Sequence, residues 1–339
     1  MGIEIKEKKL KKPTSELRFD LVSKNWIVIA TGRAKRPEEF IKQERIKVTV
    51  EKKDCPFCNL ATQEKPVLEY KNEAGQNEVT IIPNKYPAFA QTGLLNERAE
   101  GPYSIMDGVG FHEVVVTSDH NKSLAELPLS QVRRVIDAYQ ERYLELANEK
   151  FVNYISIFHN HGQEAGASIA HPHSQIIAIP VIDPDLQGSL NGSRLFFETR
   201  GECVHCKMME WDREDKQRII YENKEFVVLC PFASRASFEV RIYPKEHHSY
   251  FERIKDMEKD QLADALQVAM SKIFKGLNDP AYNFFLHTAP SDGKDYGHYH
   301  WHFEILPKTS ILAGFELGAG IEISTVQPEA AAEYLRGIK

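Results

Sequence analysis

The chain carries one order of motifs twice, and this internal repeat constrains the fold more than any other feature of the sequence. Each copy begins with a Cys-x-x-Cys pair, Cys55 and Cys58 in the first and Cys203 and Cys206 in the second. Strand-like segments, a helical stretch, an aromatic strand and a histidine-rich strand then follow in the same order. Because a duplicated motif order predicts a duplicated structural unit, we expect two half-domains built on one plan.

The segments of the two copies also match in pattern. Residues 111–120 and 238–247 both start at a phenylalanine, alternate apolar and polar side chains as a strand does, and end at an acidic residue followed by histidine. Residues 124–149 and 257–276 have apolar side chains at three- and four-residue spacing, which predicts helices. The sequence therefore predicts an α+β fold in which each half-domain is an antiparallel sheet with packed helices.

The length of the chain is consistent with this division. A chain of 339 residues exceeds what one core usually organises. Residues 180–191 are rich in proline, glycine, aspartate and asparagine, as linkers are. We expect an N-terminal half-domain over residues 1–185 and a C-terminal half-domain over residues 186–339.

Each copy supplies thiolates and imidazoles that suit a metal ion. A structural zinc site takes four such ligands in a tetrahedron. A single Cys-x-x-Cys pair can also be a redox motif, but two pairs, each with distant histidines, favour zinc. Between His120 and His171, and between His247 and His298, the separation is 51 positions in both copies. The predicted first set is Cys55, Cys58, His120 and His171, and the second is Cys203, Cys206 and His247 with either His298 or His300.

The segment from His171 to Gln175 predicts the reactive centre. Alternate side chains of a strand share a face, so His171, His173 and Gln175 should point toward one site. If His171 binds the metal, His173 is left free, and a neutral imidazole can accept a phosphoryl or nucleotidyl group. A metal with four protein ligands has no open position and would be structural. In the alternative interpretation, His173 merely fills the sheet face.

Charge and hydropathy exclude two classes of partner. A formal charge of -6 and a pI near 6.1 give no general attraction for nucleic acid or for an anionic membrane, so affinity for phosphate must be local. No apolar run approaches the length of a membrane span, and the N-terminus lacks the pattern of a signal peptide. We therefore expect a cytoplasmic protein.

Five segments spread along the chain carry a combined signature. They are residues 32–37, the knuckle at 55–58, residues 118–124, the run 159–175 and residues 313–316. Together they resemble the galactose-1-phosphate uridylyltransferase family of the histidine-triad superfamily. The resemblance implies two tandem histidine-triad-like half-domains, a homodimer, and transfer of a nucleoside monophosphate from a nucleotide sugar to a sugar phosphate through a covalent nucleotidyl-histidine.

The resemblance also implies roles for single residues. It makes His173 the nucleotidylated residue, places Gln175 and Ser168 on the transferred phosphoryl group, and favours His300 over His298 as a metal ligand. The other substrate-binding residues that it implies are Asn84 and Asn160 around the nucleotide, Arg33 and Arg36 near the phosphates, and the C-terminal Gly314, Phe315 and Glu316. A glutamine can hold a phosphoryl oxygen but cannot act as a general acid or base near neutral pH, so transfer should be favoured over hydrolysis.

Two departures from the family pattern affect the substrate. Ser174 stands where a typical member has glycine, and residues 310–312 offer no basic side chain for a sugar phosphate. Ser174 and the C-terminal segment are similar to those of a plant relative, an ADP-glucose phosphorylase that uses inorganic phosphate and has zinc rather than iron at its second site. That activity is the alternative prediction, and iron is the alternative metal for the second site.

A zinc-ribbon binding module without catalysis is a more distant interpretation of the two knuckles. The net negative charge of the chain argues against this interpretation, as does the lack of basic or aromatic stripes beside the knuckles.

Overall fold

A computed structural model of the protein describes residues 15–33, 50–91, 93–311 and 313–339. The strands are β1 (Glu16–Phe19), β2 (Trp26–Ile29), β3 (Leu68–Lys71), β4 (Asn77–Pro83), β5 (Arg98–Glu100), β6 (Tyr103–Ile105), β7 (Phe111–Thr117), β8 (Tyr154–His161), β9 (His173–Ile179), β10 (Ile219–Glu222), β11 (Phe226–Leu229), β12 (Val240–Pro244), β13 (Tyr282–His287), β14 (His302–Pro307) and β15 (Ile323–Ser324). The helices are α1 (Leu129–Leu146), α2 (Pro184–Arg200), α3 (Val204–Asp215), α4 (Asp256–Gly276), α5 (Gly314–Ala319) and α6 (Pro328–Gly337). None of the helices in the described part of the chain is long and apolar enough to span a bilayer.

Both copies of the repeat contribute to one sheet. Ten of the described strands pair in the order β10-β11-β12-β14-β13-β8-β9-β7-β4-β3. Outward from the centre, the first copy gives β8-β9-β7-β4-β3 and the second gives β13-β14-β12-β11-β10, which is the same order of equivalent strands. The copies meet where β8 pairs antiparallel with β13, with His161 opposite Tyr282. The α+β prediction with antiparallel sheets is confirmed, and the two half-sheets are continuous.

The side chains of each strand point alternately to the two faces of the sheet, and the two faces pack against different layers. Side chains such as Val115 and Ile176 face the main core, which they share with α1, α4 and α6. Their neighbours Val114 and Val116 face the other side, where they pack against Cys55 and Phe57 of the first knuckle. The strand period of two therefore keeps the helical core apart from the face that carries the cysteines.

The predicted linker at residues 180–191 is largely helical. Helix α2 begins at Pro184, and the Asp183 carboxylate accepts a hydrogen bond from the Leu186 amide at 2.9 Å. Asp-Pro is a helix-start signal, because aspartate caps the first turn and proline suits the first helical position. A composition typical of linkers therefore does not exclude a helix that begins at Pro184. The boundary between residues 185 and 186 stays a prediction.

A close backbone contact fixes the N-terminal hairpin against α2. Strands β1 and β2 are joined by a turn that contains Val22, and β2 also pairs with β15. A Cβ atom at Gly192 of α2 would lie 1.8 Å from the carbonyl oxygen of Val22. Only glycine lets the helix and the turn approach this closely.

We predict that Gly192→Ala destabilises the fold by about 2 kcal/mol or more, because the new methyl group must push the Val22 backbone away from α2. Gly188→Ala is the matched control in the same helix, since a Cβ atom there meets nothing within 4 Å. It should stabilise the protein by up to ~1 kcal/mol through helix propensity. Urea unfolding of both variants at equal metal content measures the difference, and equal midpoints would contradict the close contact.

Candidate active site and metal centres

The first predicted metal set comes together in the structure. The Sγ atom of Cys58 lies 3.2 Å from Nδ1 of His120 and 3.5 Å from Nδ1 of His171, and Cys55 Sγ also lies 3.5 Å from the His171 nitrogen. The four ligand atoms are all within 4.8 Å of one another. Two thiols and two imidazole nitrogens that converge in this way form a donor set that could hold a metal ion.

The outward nitrogens of these histidines are held by the backbone. Nε2 of His120 donates to the carbonyl of Val50, and Nε2 of His171 donates to the carbonyl of Thr117, both at 2.7 Å. A proton on Nε2 leaves Nδ1 as the lone-pair nitrogen that faces the cluster, as metal-ligating histidines require. Burial lowers the pKa of His171 to about 4, so its ring is neutral near pH 7.

The second copy repeats this arrangement. The Cys206 Sγ atom lies 3.3 Å from Nδ1 of His247 and 3.4 Å from Nδ1 of His300, and Cys203 completes the cluster. The outward nitrogens again donate to carbonyls, that of His247 to Gly297 and that of His300 to Pro244, both at 3.0 Å. This set could likewise hold a metal ion.

The structure brings His300 to the second cluster and leaves His298 outside it. The separation from His247 to His300 is 53 positions, against 51 between His120 and His171. The second copy therefore has two more residues between its clustered histidines, which is why the equal spacing pointed to His298. The motif around Trp301 was the better guide.

The candidate nucleophile His173 opens β9 and is 7% exposed. Its Nδ1 donates to the carbonyl of His171 at 2.9 Å, which makes Nε2 the nitrogen with the lone pair. Burial lowers the pKa of His173, and its hydrogen bond to the backbone offsets this only in part. The ring of Phe57, from the first knuckle, packs against the imidazole with centroids 4.9 Å apart. The knuckle that carries two of the candidate metal ligands is thus in direct packing contact with the candidate nucleophile.

A cavity of about 420 Å³ opens beside this histidine. The predicted residues Asn84, Ser168, His173 and Gln175 all line it, together with Phe57. A small cleft with one nucleophilic imidazole and several amide and hydroxyl donors suits a phosphate-bearing ligand. These four predicted residues therefore come together at one place in the fold.

Other predicted substrate residues do not line this cavity. The Oδ1 atom of Asn160 accepts from the Asn283 amide at 2.8 Å across the junction of β8 and β13. Gly314, Phe315 and Glu316 form the first turn of α5, where Phe315 is 56% exposed and Glu316 caps the helix by accepting from the Ala313 amide. Arg36 and the side chain of Arg33 lie outside the part of the chain that the structure describes.

Ser174, the departure from the family pattern, points away from the cavity. Its Oγ atom is hydrogen-bonded to the hydroxyl of Tyr139 on α1 and lies 3.1 Å from Nδ1 of His159. The side chain is 4% exposed. A hydroxyl at this position ties β9 to the helical layer and does not contact a ligand in the cavity.

Sequence reasoning missed His112. This residue lies on β7, and its Nε2 atom is 2.8 Å from Oε1 of Gln175 on β9. Because the register places Val114 opposite Gln175, the two side chains are diagonal neighbours on the same sheet face. In the sequence, His112 stands out only because it lies in a repeated segment. Its contact with Gln175 is found only once the pairing of β7 with β9 is known.

The second copy has a different arrangement at the equivalent positions. Arg241 pairs with Glu304 across β12 and β14, where the first copy pairs Val114 with Gln175. The Arg241 guanidinium lies 3.0 Å from the Glu304 carboxylate and 2.8 Å from that of Glu239. His302 corresponds to His173 and is stacked between aromatic rings. A buried ionic network therefore stands where the first copy has the row of His173 and Gln175.

Comparison with known proteins agrees with this geometry. The model of the galactose-1-phosphate uridyl transferase N-terminal domain matches residues 5–182, and the model of a domain of unknown function matches residues 109–336. An ADP-glucose phosphorylase from Arabidopsis thaliana is 34% identical over 95% of this chain and 93% of that protein. A galactose-1-phosphate uridylyltransferase from Thermotoga maritima is 32% identical over 95% of this chain and 98% of that protein.

Solved structures extend the likeness to the whole fold. The ADP-glucose phosphorylase of Arabidopsis thaliana with bound ADP-glucose superposes with a TM-score of 0.81 at 31% identity, over 96% of this chain and 99% of that one. A uridylyltransferase structure gives a TM-score of 0.75 at 28% identity, over 95% of this chain and 97% of that one. The fold, the cavity and these likenesses agree, and the chain belongs to the galactose-1-phosphate uridylyltransferase family of nucleotidyltransferases.

Proposed function

We propose that the protein transfers a nucleoside monophosphate from a nucleotide sugar to a sugar phosphate through a covalent intermediate on His173, and that it is a UDP-glucose:galactose-1-phosphate uridylyltransferase. The observation that carries this proposal is the row on β9. Nδ1 of His173 donates to a carbonyl, so Nε2 carries the lone pair and is the nucleophilic atom. His173 lines the same cavity as Ser168 and Gln175.

The proposed reaction consists of two successive displacements at one phosphorus atom. Nε2 of His173 attacks the α-phosphorus of the nucleotide sugar, a P–N bond forms, and the bond to the sugar-phosphate oxygen breaks. An oxygen of the incoming phosphate then attacks the same phosphorus, and the P–N bond breaks to regenerate the imidazole. Both the leaving group and the acceptor are ionised phosphates, so neither step needs a proton transfer.

Neutral donors around the nucleophile fit this chemistry. The amide of Gln175 and the hydroxyl of Ser168 line the cavity and can hold the phosphoryl oxygens while charge shifts during transfer. Neither group can remove a proton from water near pH 7. A nucleotidyl-histidine in this site should therefore persist until a phosphate arrives.

We propose structural zinc in both clusters, with iron as the alternative in the second. Two thiolates and two imidazoles complete the coordination of zinc, so the ion would supply rigidity and no catalytic water. In the first cluster, His171 and the knuckle that carries Phe57 both adjoin His173.

We also propose a cytoplasmic location. The cysteines are free, four of them are gathered as candidate metal ligands, and thiols stay reduced in the cytoplasm.

We propose that the active enzyme is a homodimer. Among the described residues that line the cavity, Lys85 alone is cationic, although a nucleotide sugar carries two phosphates. The exposed α5 does not line the cavity of its own chain. A second copy could bring its Arg33 and Arg36 to the substrate phosphates, the place that the family resemblance implies for these two residues. Its α5 could come to the same cavity.

The intermediate provides the direct test of the mechanism. Incubation with UDP-glucose alone, followed by denaturation and peptide mass spectrometry, should place a uridylyl group on His173. The variant His173→Asn should form no adduct, whereas His298→Asn should form it normally because His298 lies outside both clusters. If the wild-type protein forms no adduct with either UDP-glucose or ADP-glucose, the mechanism is wrong.

The acceptor separates this activity from the second candidate, an ADP-glucose phosphorylase. That candidate is favoured by the solved relative with bound ADP-glucose and by Ile311, which is 93% exposed where a basic residue would be expected. A uridylyltransferase should turn over UDP-glucose with galactose 1-phosphate at least about tenfold faster than ADP-glucose with inorganic phosphate, a difference of ~1.4 kcal/mol in the barrier. The reverse preference would assign the phosphorylase.

Metal content tests the two clusters separately. We expect the purified protein to hold two metal ions per chain, one for each Cys₂His₂ set. Cys58→Ser and Cys206→Ser should each lose one ion, because a serine hydroxyl is a poor ligand beside imidazole and thiolate. Cys230→Ser is the control, since this buried thiol belongs to neither cluster. Elemental analysis by mass spectrometry counts and identifies the ions, and unchanged content in both ligand variants would disprove the clusters.

A further inference from the structure

His112 is nearly buried, at 8% exposed, and sits between the backbone and two amide side chains of the cavity. Its Nδ1 lies 3.2 Å from the amide nitrogen of Ala88, and its Nε2 lies 2.8 Å from Oε1 of Gln175 and 3.0 Å from Nδ2 of Asn84. Nothing in the double-displacement chemistry uses this imidazole. Its contacts nevertheless determine how the cavity presents its donors.

The proton on this ring can be placed from its partners. A peptide N–H can only donate, so Nδ1 of His112 accepts from Ala88 and carries no hydrogen. The remaining proton of the neutral ring is then on Nε2, which donates to Oε1 of Gln175. The Asn84 amide cannot donate to a nitrogen that already bears a proton. Its Oδ1 accepts from the backbone amide of Tyr86, so its NH₂ group is the end that lies beside the His112 ring.

This arrangement determines which end of the Gln175 amide faces the phosphoryl group. A glutamine amide can turn over and exchange its oxygen and nitrogen, and the wrong orientation would place oxygen lone pairs against phosphoryl oxygens. With Oε1 held by the Nε2–H group of His112, the NH₂ group is the end that remains for the cavity. A donor that is oriented in advance costs no reorganisation during transfer.

We propose that His112 is a positioning residue for nucleotidyl transfer, which it promotes by fixing the amide orientation of Gln175. The inference rests on the proposed function, because it assigns His112 a part in forming the His173 intermediate. His112 itself does not touch the reacting phosphorus.

The second copy provides an internal comparison. Glu239 lies two positions before Arg241, as His112 lies two positions before Val114. The counterparts of His112 and Gln175 are thus Glu239 and Glu304, two acceptors bound to one guanidinium. The donor that orients an amide is therefore found in the copy that also has the candidate nucleophile beside a cavity.

Three variants separate the two hydrogen bonds of His112. In His112→Asn the amide can reach only the position of Nδ1, so the contact with Gln175 is lost. In His112→Gln the side-chain nitrogen can reach the position of Nε2, so the donor to Gln175 is kept. Gln175→Ala removes the group that His112 is proposed to orient.

The measurement is the rate constant for forming the nucleotidyl-enzyme from UDP-glucose, by rapid quench and mass spectrometry. We expect His112→Asn to lower it roughly 10- to 100-fold, as loss of a group that orients an active-site residue typically does, with little change in the KM for UDP-glucose. His112→Gln should recover most of the rate. Unchanged metal content and urea midpoint in His112→Asn will verify that the variant is folded.

A double-mutant cycle provides the decisive comparison. If His112 acts through Gln175, His112→Asn in the Gln175→Ala background should cause no further loss. Independent losses that multiply would show a general structural role and overturn the proposal, as would a wild-type rate for His112→Asn beside a normal wild-type adduct. If the wild-type protein forms no adduct at all, the proposed function fails and this inference with it.

Discussion

The strand period of two along β9 is the constraint on which the rest of the site depends. Odd-numbered side chains, His173 and Gln175, line the cavity, while Ser174 and Ile176 face the helical layer. A shift of one residue in pairing would exchange these faces and bury His173 under α1. The hydrogen bonds of β9 to both β7 and β8 exclude that shift, because neighbours on two sides fix the register.

Two further contacts turn a correctly facing strand into a rigid site. The carbonyl of Thr117 holds the ring of His171, and the carbonyl of His171 holds the ring of His173. A metal ion bound at Nδ1 of His171 would therefore orient the proposed nucleophile, His173, through one peptide unit. The site thus gains its geometry from backbone groups, which do not change when side chains vary, and its chemistry from few side chains.

The sequence predicted what depends on order and alternation along the chain. It predicted the duplicated α+β plan, both Cys₂His₂ sets and the shared face of His173 and Gln175. It was less decisive where two segments distant in sequence had to be aligned. Equal spacing pointed to His298, because the second copy is longer by two residues, whereas the family resemblance favoured His300, which lies in the cluster. His112 was missed because its contact with Gln175 depends on which β7 residue lies diagonal to that glutamine. The helix at Pro184 was hidden by a loop-like composition, although its Asp-Pro start signal was present.

The ionic network of the second copy has a consequence for how such a duplicated chain can evolve. Arg241 is 5% exposed and is held by both Glu239 and Glu304. Placing glutamine at position 304 alone would remove one of the two carboxylates that pair with this buried guanidinium, at a cost of several kcal/mol. Glu239, Arg241 and Glu304 must therefore change together before this face could carry a row like that of His173 and Gln175. An ion-pair network of this kind can thus keep the two copies of a duplicated chain different at equivalent positions.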